Sequence, residues 1–515
     1  MQEKTARPGQ YPGRLSCLTS LVVGVLLTGC AVGPDFKTPG AEPQAGYQSA
    51  AGKPVRVAQS GAPDAGNAGV PQTLTQGRDL PADWWTLFRS PELDAMIREA
   101  LAHSPTLASA EAAVRQARES YNAEAGTLES PTINAEGNAN RERQLQSSTP
   151  NTFNVYSAGL TVSYTLDLFG GGRRDLEALA AQVDYQRYQL EAARQTLIFN
   201  VVNTAVLEAS ARTQVEATRA ALAAQTAQLD IIGKQYRLGG QPLTAVLSQQ
   251  QLVAQTSATL PTLEKAQSQY RNQLAVYLGR YPNDPDLPRI DLDALRLPQD
   301  LPLSLPSELV RQRPDIQASE ALLHQASAKV GVATANLYPQ ITLSGSYARQ
   351  RTDMAGGHNT VSLWNLGAGL VMPIIDGGTL RAERRGAIAA YDQAAAQYRQ
   401  TVLSAFQNVA DTLYTIQADA GQLNAQANQA EETRRLRDIT RARFQLGAVS
   451  YVNVLDAERA YQQARVSLAT SQATRFADTA MLYMALGGGW WNRAGHPEAG
   501  GSLNTASGNN DNNIQ

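Results

Sequence analysis

The chain has 515 residues, 44 Lys and Arg against 46 Asp and Glu, and a formal net charge of −2. It has no long basic run, so it lacks the electrostatic footprint of a nucleic-acid binder, and its mean hydropathy of −0.31 is too low for a bundle of membrane-spanning helices. Aromatic residues make up only 6% of it, while Ala and Gln are plentiful, which suits long helices packed through small side chains.

The first element in chain order is an export signal. Lys4, Arg7 and Arg14 precede the apolar run Leu18 to Gly29, and Cys30 follows. A basic start, a short apolar stretch and small residues at the cut site define a secretory signal over residues 1–29. The run is too short for a permanent transmembrane helix. Leu27-Thr28-Gly29-Cys30 resembles a bacterial lipobox. That resemblance implies that Cys30 becomes the acylated (palmitate-bearing) first residue of the mature chain, and Ala31 behind it implies sorting to the outer membrane. Cys17 lies in the removed segment, so the mature chain has one thiol and no disulfide framework. Residues 30–80 read as an extended N-terminal segment, with the Gly/Ala/Pro-rich stretch 51–70 as a linker. No later stretch offers about 18 consecutive apolar residues. A membrane crossing by this chain therefore requires a closed β-barrel.

From residue 81 onward the chain is written twice. "HSPTLASAEAAVRQA" from His103 aligns with "QRPDIQASEALLHQA" from Gln312, and "GLTVSYTLDLFGGG" aligns with "GAGLVMPIIDGG". "YRLGGQPLTAVLSQQ" from Tyr236 aligns with "FQLGAVSYVNVLDAE" from Phe444. The offset holds between about 205 and 209 residues, which defines a first repeat over 81–300 and a second over 301–489.

Each repeat opens with a helix of about 25 residues behind a proline, Pro105 to Glu129 and Pro314 to Leu337, because a missing N–H costs nothing in a first turn. A strand pair follows, at about 131–167 and about 339–375. Ile133, Ala135, Gly137 and Ala139 alternate, as do Ile341, Leu343, Gly345 and Tyr347. These runs of roughly 9–11 residues have the pattern of transmembrane barrel strands; a half-buried sheet in a soluble domain is the alternative. A Gly-rich turn then enters a proline-free helical stretch, Arg173 to Arg237 and Leu380 to Phe444. Apolar residues recur every seven positions at Leu176, Val183, Leu190 and Leu197, and again at Val215, Leu222, Leu229 and Tyr236. Ile388, Ala395, Val402, Val409, Ile416 and Leu423 keep the same spacing, that of a coiled-coil seam; an ordinary antiparallel bundle has it too. About 65 residues make a helix on the order of 95 Å long. A Leu-Gly turn leads into a returning helix, roughly Pro242 to Leu278, with Gly239 and Gly447 where a helix end needs φ > 0. Ser450 is placed to cap the second returning helix, and Pro242 serves the first. The expected fold class is α+β: four strands per chain, too few to close a barrel, joined to long helices. About eight strands are the practical minimum, so the chain has to oligomerise, and a trimer sharing twelve strands is the simplest solution. The tail 490–515 is rich in Gly, Asn and Ser and reads as disordered.

These motifs in this order resemble the TolC-like outer-membrane factors, in their NodT/OprM-type efflux lipoprotein branch. The match runs from Cys30 to about Gly489 and rests on the lipobox with Gly33 to Pro39, on Asp83 to Leu101, on Tyr164 to Gly170 and on the two Leu-Gly turns. The resemblance implies a homotrimeric conduit, an outer-membrane β-barrel continuous with a periplasmic α-helical barrel. Its implied partners are outer-membrane lipid, a periplasmic adaptor (membrane fusion) protein and an inner-membrane pump of the resistance-nodulation-division type, with drugs, solvents or metal ions as cargo. It also implies adaptor docking at Tyr236, Arg237, Leu238, Gly239, Phe444, Gln445, Leu446 and Gly447, and a periplasmic gate at Val452 and Asp456. Many relatives carry a second acid where this chain has Asn453. Two other readings stay open: the conduit of a type I protein exporter, and a lipid-anchored coiled-coil scaffold without a pore.

No catalytic or cofactor constellation is expected. His103, His324, His358 and His496 are scattered without Cys or carboxylates at metal-ligand spacing. "FGGGRR" lacks the phosphate-loop Lys and reads as a strand-to-helix turn. Trp84-Trp85 fits either a membrane-interface anchor or buried packing.

Overall fold

The computed structural model describes residues 31–40, 63–76, 78–146, 149–282, 284–303, 306–354 and 356–493. The signal segment, Cys17, Cys30, residues 41–62 and residues 494–515 lie outside the described residues. In chain order the elements are β1 (Thr73–Gln76), α1 (Pro91–His103), α2 (Pro105–Glu129), β2 (Thr132–Gln146), β3 (Thr149–Leu166), α3 (Gly171–Arg237) and α4 (Leu243–Tyr277). They continue with β4 (Asp300–Leu303), α5 (Pro306–Gln312), α6 (Pro314–Ala335), β5 (Gln340–Met354), β6 (Gly357–Val371), α7 (Thr379–Gln445) and α8 (Tyr451–Ala485). The duplication is exact in length where it matters: α3 and α7 each have 67 residues, α4 and α8 each 35. No helix among the described residues is long and apolar enough to cross a membrane.

Two compact units divide the chain. One holds 113–186 and 319–399 with the N-terminal segment, the other 40–112, 187–318 and 400–515. The first unit contains an antiparallel sheet of order β2-β3-β5-β6, so both its edges, β2 and β6, are unpaired among the described residues. Register sorts the side chains by face. Ile133, Val162, Gly345 and Leu366 stand in one cross-strand row, and Ala135, Leu160, Tyr347 and Trp364 in another row on the same face. The opposite face carries rows such as Asn134, Thr161, Ser346 and Asn365. The apolar face is open, with Trp364 79% and Leu366 82% exposed.

The strands are longer than their sequence pattern, 15 to 18 residues rather than 9–11. Apolar alternation ends near Tyr347, and Arg349 and Arg351 follow on the same face. Strand pairing continues through polar residues as far as Gln146 with Thr149 and Met354 with Gly357, because pairing needs backbone rather than apolar side chains. Where the strands give way to long helices, a carboxylate caps the free N–H groups. Asp167 accepts from the amides of Gly172 and Arg173 at 3.1 and 3.0 Å. Asp376 accepts from those of Gly378 and Leu380 at 2.8 and 2.9 Å. The amides of Leu380 and Gly378 hold the Asp376 carboxyl below the usual carboxylate range.

The second unit has the large core. Val201, Val202, Val409, Ile416, Leu423, Phe476 and Tyr483 pack there with Trp84 and Phe88. Trp84 is fully buried, its ring 5.4 Å from that of Tyr483, and Trp85 donates to Asp94 at 2.9 Å. The tryptophan pair is therefore packing within this unit. The heptad positions Val409, Ile416 and Leu423 are buried as expected, but Tyr236 is exposed and Leu222 and Leu229 only half-buried. In that half of α3 the buried row is Thr218, Gln225 and Ile232 instead, displaced by three residues from the heptad positions.

Two expected boundaries change. The linker reading fails over residues 63–80: Ala65 and Ala68 are buried, β1 pairs in parallel with β4, and the Arg475 guanidinium donates to the Ala68 and Val70 carbonyls at 2.6 and 2.9 Å. A small-residue composition looked like a tether, whereas it allows close packing against a distant helix. The tail also starts later than 490, since Trp490 is buried and donates to the Gln312 carbonyl at 2.7 Å.

Candidate functional site

The two Leu-Gly turns are the same structure made by two sequences. α3 ends with the Gly240 N–H on the Gln235 carbonyl (2.8 Å) and the Gly239 N–H on the Tyr236 carbonyl (3.0 Å). α7 ends with Ala448 on Arg443 and Gly447 on Phe444, both at 2.9 Å. This paired closure requires a left-handed residue, and Gly239 (φ 77°) and Gly447 (φ 71°) supply it. Pro242 and Ser450 then stand in the same extended conformation ahead of α4 and α8. Ser450 does not cap α8 with its side chain; its hydroxyl donates to Asn453 Oδ1 at 2.9 Å. The Asn453 N–H donates to the Ser450 carbonyl at 3.1 Å, so backbone closes the first turn of α8.

Beneath the turns lies a small core of Ile232, Ala245, Leu252, Tyr451, Val454 and Leu455, with Val246 and Phe444 packed against it. This core sorts the expected docking residues. Leu238 and Leu446 are 87% and 84% exposed, and Tyr236, Arg237 and Gln445 are also exposed. No atom lies within 4 Å of a Cβ placed on Gly239 or Gly447. Phe444 instead turns inward, its ring 5.2 Å from that of Tyr451. Of the expected gate pair, Val452 is 51% exposed, and Asp456 stands one turn further along α8.

Sequence reasoning missed three residues here. Tyr451 is buried and donates its hydroxyl to Gln249 Oε1 at 2.6 Å, while Gln249 Nε2 donates to the Gln225 carbonyl at 2.7 Å. Burial pushes the Tyr451 phenol up to about 12. Arg459 lies 3.2 Å from Asp456, so the expected gate acid has a cation one turn away. The available signal was the mismatch between repeats: Tyr451 and Asp456 stand where the first copy has Leu243 and Ser248.

Among the described residues no group of three or more His, Cys, Asp or Glu is placed to hold a metal ion. What the tips offer is an exposed apolar and basic edge over a small buried core, suited to contact rather than to bond chemistry.

Comparison with known proteins places these features in a family. The model of the outer membrane efflux protein family matches residues 96–280 and 305–488. The pyoverdine export outer membrane protein OpmQ of Pseudomonas aeruginosa is 32% identical over 429 residues, spanning 81% of this chain and 90% of the relative. The cation efflux system protein CusC of Escherichia coli K12 is 28% identical over 473 residues, 92% of this chain and 99% of the relative. Among solved structures, the outer-membrane channel OprN superposes with a TM-score of 0.75 at 27% identity, covering 90% of this chain and all of that one. The open-state MtrE outer membrane channel of Neisseria gonorrhoeae gives 0.74 at 26% identity, covering 90% and 99%. Two matched segments corresponding to the two repeats, and a relative 32% identical over 90% of its length, establish that the chain belongs to the outer membrane efflux protein family.

Proposed function

We propose that this outer-membrane efflux protein is the channel component of a tripartite export system, acting as a homotrimer that conducts substrates passively outward. The sheet in the first unit carries the argument. It has one apolar face, one small polar face and two unpaired edges, and open edges are not tolerated in lipid. Three copies joined β2 to β6 give twelve strands, enough to enclose a water-filled lumen, with the Trp364 and Leu366 face toward lipid and the Thr161 and Ser346 face toward the pore. The barrel is then continuous with a periplasmic α-helical barrel built from the long helices.

The two tips are the docking surface for a periplasmic adaptor that links the channel to an inner-membrane pump. Leu238, Leu446, Tyr236, Arg237 and Gln445 supply contact, Gly239 and Gly447 allow close backbone approach, and Phe444 acts from beneath by supporting the second tip. Val452 and Asp456 line the periplasmic constriction. A lipid on Cys30 anchors the mature chain to the outer membrane. The energy and the choice of cargo belong to the pump, and no step here makes or breaks a bond.

Chemical cross-linking in outer-membrane vesicles and planar-bilayer recording of the purified protein test this reading together. Trimers and discrete conductance, raised when Tyr451→Phe loosens the tip, are the expected result. A monomeric chain, or trimers that never conduct even with Tyr451→Phe, would overturn it.

A further inference from the structure

The N-terminal segment Ala31–Pro39 is seated on the first unit by contacts that its composition gives no hint of. The Val32 N–H donates to the Phe169 carbonyl at 3.1 Å. Arg174, buried on the first turn of α3, spreads its guanidinium three ways: Nε to the Val32 carbonyl at 3.3 Å, one terminal nitrogen to Asp35 at 2.6 Å, the other to Glu177 at 2.7 Å. Glu177 also meets His324 Nε2 at 2.8 Å. The His324 ring in turn stacks on Phe36, centroids 4.3 Å apart and planes within 12°.

The backbones touch as closely as the side chains. A Cβ on Gly33, where φ is +102°, would sit 2.5 Å from the Gly331 Cα, and one on Gly331 would sit 2.8 Å from Arg174 Cγ. A Cβ on Gly170 would meet the Ala31 Cα at 2.6 Å. Three glycines thus clear a path for one strand of peptide.

The duplication makes this seat informative. α3 and α7 begin alike, yet where α3 has Arg174 and Glu177, α7 has Ala382 and Arg385. Where α6 has His324 and Gly331, α2 has Arg115 and Asn122. An element needed for the shared fold would recur in both copies. Arg174, Glu177, His324 and Gly331 occur once, as does the N-terminus that they hold.

We propose that Ala31–Pro39 is a clasp, and that Arg174, Glu177, His324 and Gly331 form a dedicated seat fixing this segment, with Ala31 beside Gly170 at the foot of β3. Where residue 30 carries the lipid, which rests on the anchor reading above, the acyl chain enters the bilayer at that level rather than on a free tether. The clasp acts by position: it ties the anchor to the junction between strand and long helix.

Hydrogen exchange on the full-length protein in outer-membrane vesicles tests the clasp, and the mass of the N-terminal peptide tests the lipid. In wild type, amides 32–38 exchange far more slowly than an unstructured peptide. Arg174→Met speeds them by roughly tenfold or more through local opening. Gly33→Val alters only the segment and leaves the seat's helices intact; it gives the same acceleration with unchanged protection in α3 and α6. Cys30→Ser abolishes the acyl mass yet keeps the slow exchange. Unprotected wild-type amides, no acceleration in Gly33→Val, or loss of protection in Cys30→Ser would each overturn the clasp. An unmodified residue 30 in the wild-type peptide overturns the anchor reading alone and leaves the exchange result standing.

Discussion

Asp419→Asn is the substitution whose effect the structure fixes most fully, in sign as well as size. Asp419 is buried on α7, with one carboxyl oxygen lacking a partner among the described residues. Burial first, then the hydrogen-bonded Asp478 carboxyl, push Asp419 up to about 7, against the pull of Arg475. Arg475 is itself buried and pushed down to about 10 by desolvation. An unfolded Asp releases its proton near 3.8. Between these two values the native state binds more protons than the unfolded state, so stability falls as pH rises through the window and levels off above about 7. At about 1.4 kcal/mol per pH unit the whole window is worth on the order of 4 kcal/mol. Asn resembles the protonated acid and has nothing to ionise. Thermal unfolding followed by circular dichroism in detergent should therefore show the variant and wild type within about 1 °C at pH 4 and roughly 5 °C apart at pH 8, the variant higher. Asp478→Asn should reduce the wild-type pH slope without removing it, because burial is the larger cause. If Asp419→Asn and wild type run parallel from pH 4 to 8, Asp419 does not hold its proton in the folded protein and the reasoning is wrong.

Other substitutions separate backbone, hydrogen-bond and packing effects. Gly239→Ala and Gly447→Ala meet no neighbouring atom, so each should cost only the left-handed penalty of about 1–2 kcal/mol, equally at both tips; unequal melting shifts would show that the turns are not equivalent. Gly488→Ala should cost more than either, because its Cβ would lie 2.0 Å from Gln195 Oε1 as well as at φ 75°; a loss no larger than at the tips would mean that Gln195 moves freely. Tyr451→Phe leaves the buried Gln249 oxygen without its donor and should cost about 1–3 kcal/mol, read as faster amide exchange at the start of α8; unchanged exchange would show that the bond does not hold the tip.

The repeated architecture was legible because its signals are local and recur. Proline-led starts, period-two strands, seven-residue spacing and Gly at helix ends each follow from backbone geometry that any 15-residue window exposes. Pro105–Glu129 could be read to the residue for that reason. What stayed hidden depends on partners far along the chain. Ala68 and Val70 look like linker until Arg475, about 400 residues away, supplies the donors. Phe444 and Leu446 are both apolar tip residues, yet one faces the core and the other solvent, which only the packing of Tyr451 against α4 decides. Arg459 is the instructive omission, since its i,i+3 spacing from Asp456 is visible in the sequence and needed only to be asked for.

That omission changes what the second tip should do. In the proposed trimer three copies of Asp456 would make a ring of negative charge, but Asp456 has Arg459 within 3.2 Å, and the first copy of the tip has Ser248 at the matching position. Both side chains of the pair are more than half exposed, so the pair is worth no more than about 1 kcal/mol and opens readily. The guanidinium's own positive field nevertheless offsets part of the carboxylate's field at the proposed constriction. Removing the acid and removing the base must then act in opposite directions. Asp456→Ala should lower the cation preference of single-channel currents, Arg459→Ala should raise it, and the double variant should fall between the two, while Ser248→Ala changes neither. The shifts should shrink as salt rises toward 1 M, where the Debye length falls to about 3 Å. Shifts of the same sign from both single variants would mean that Asp456 acts as a helix-end residue, stabilising α8 rather than facing the ions.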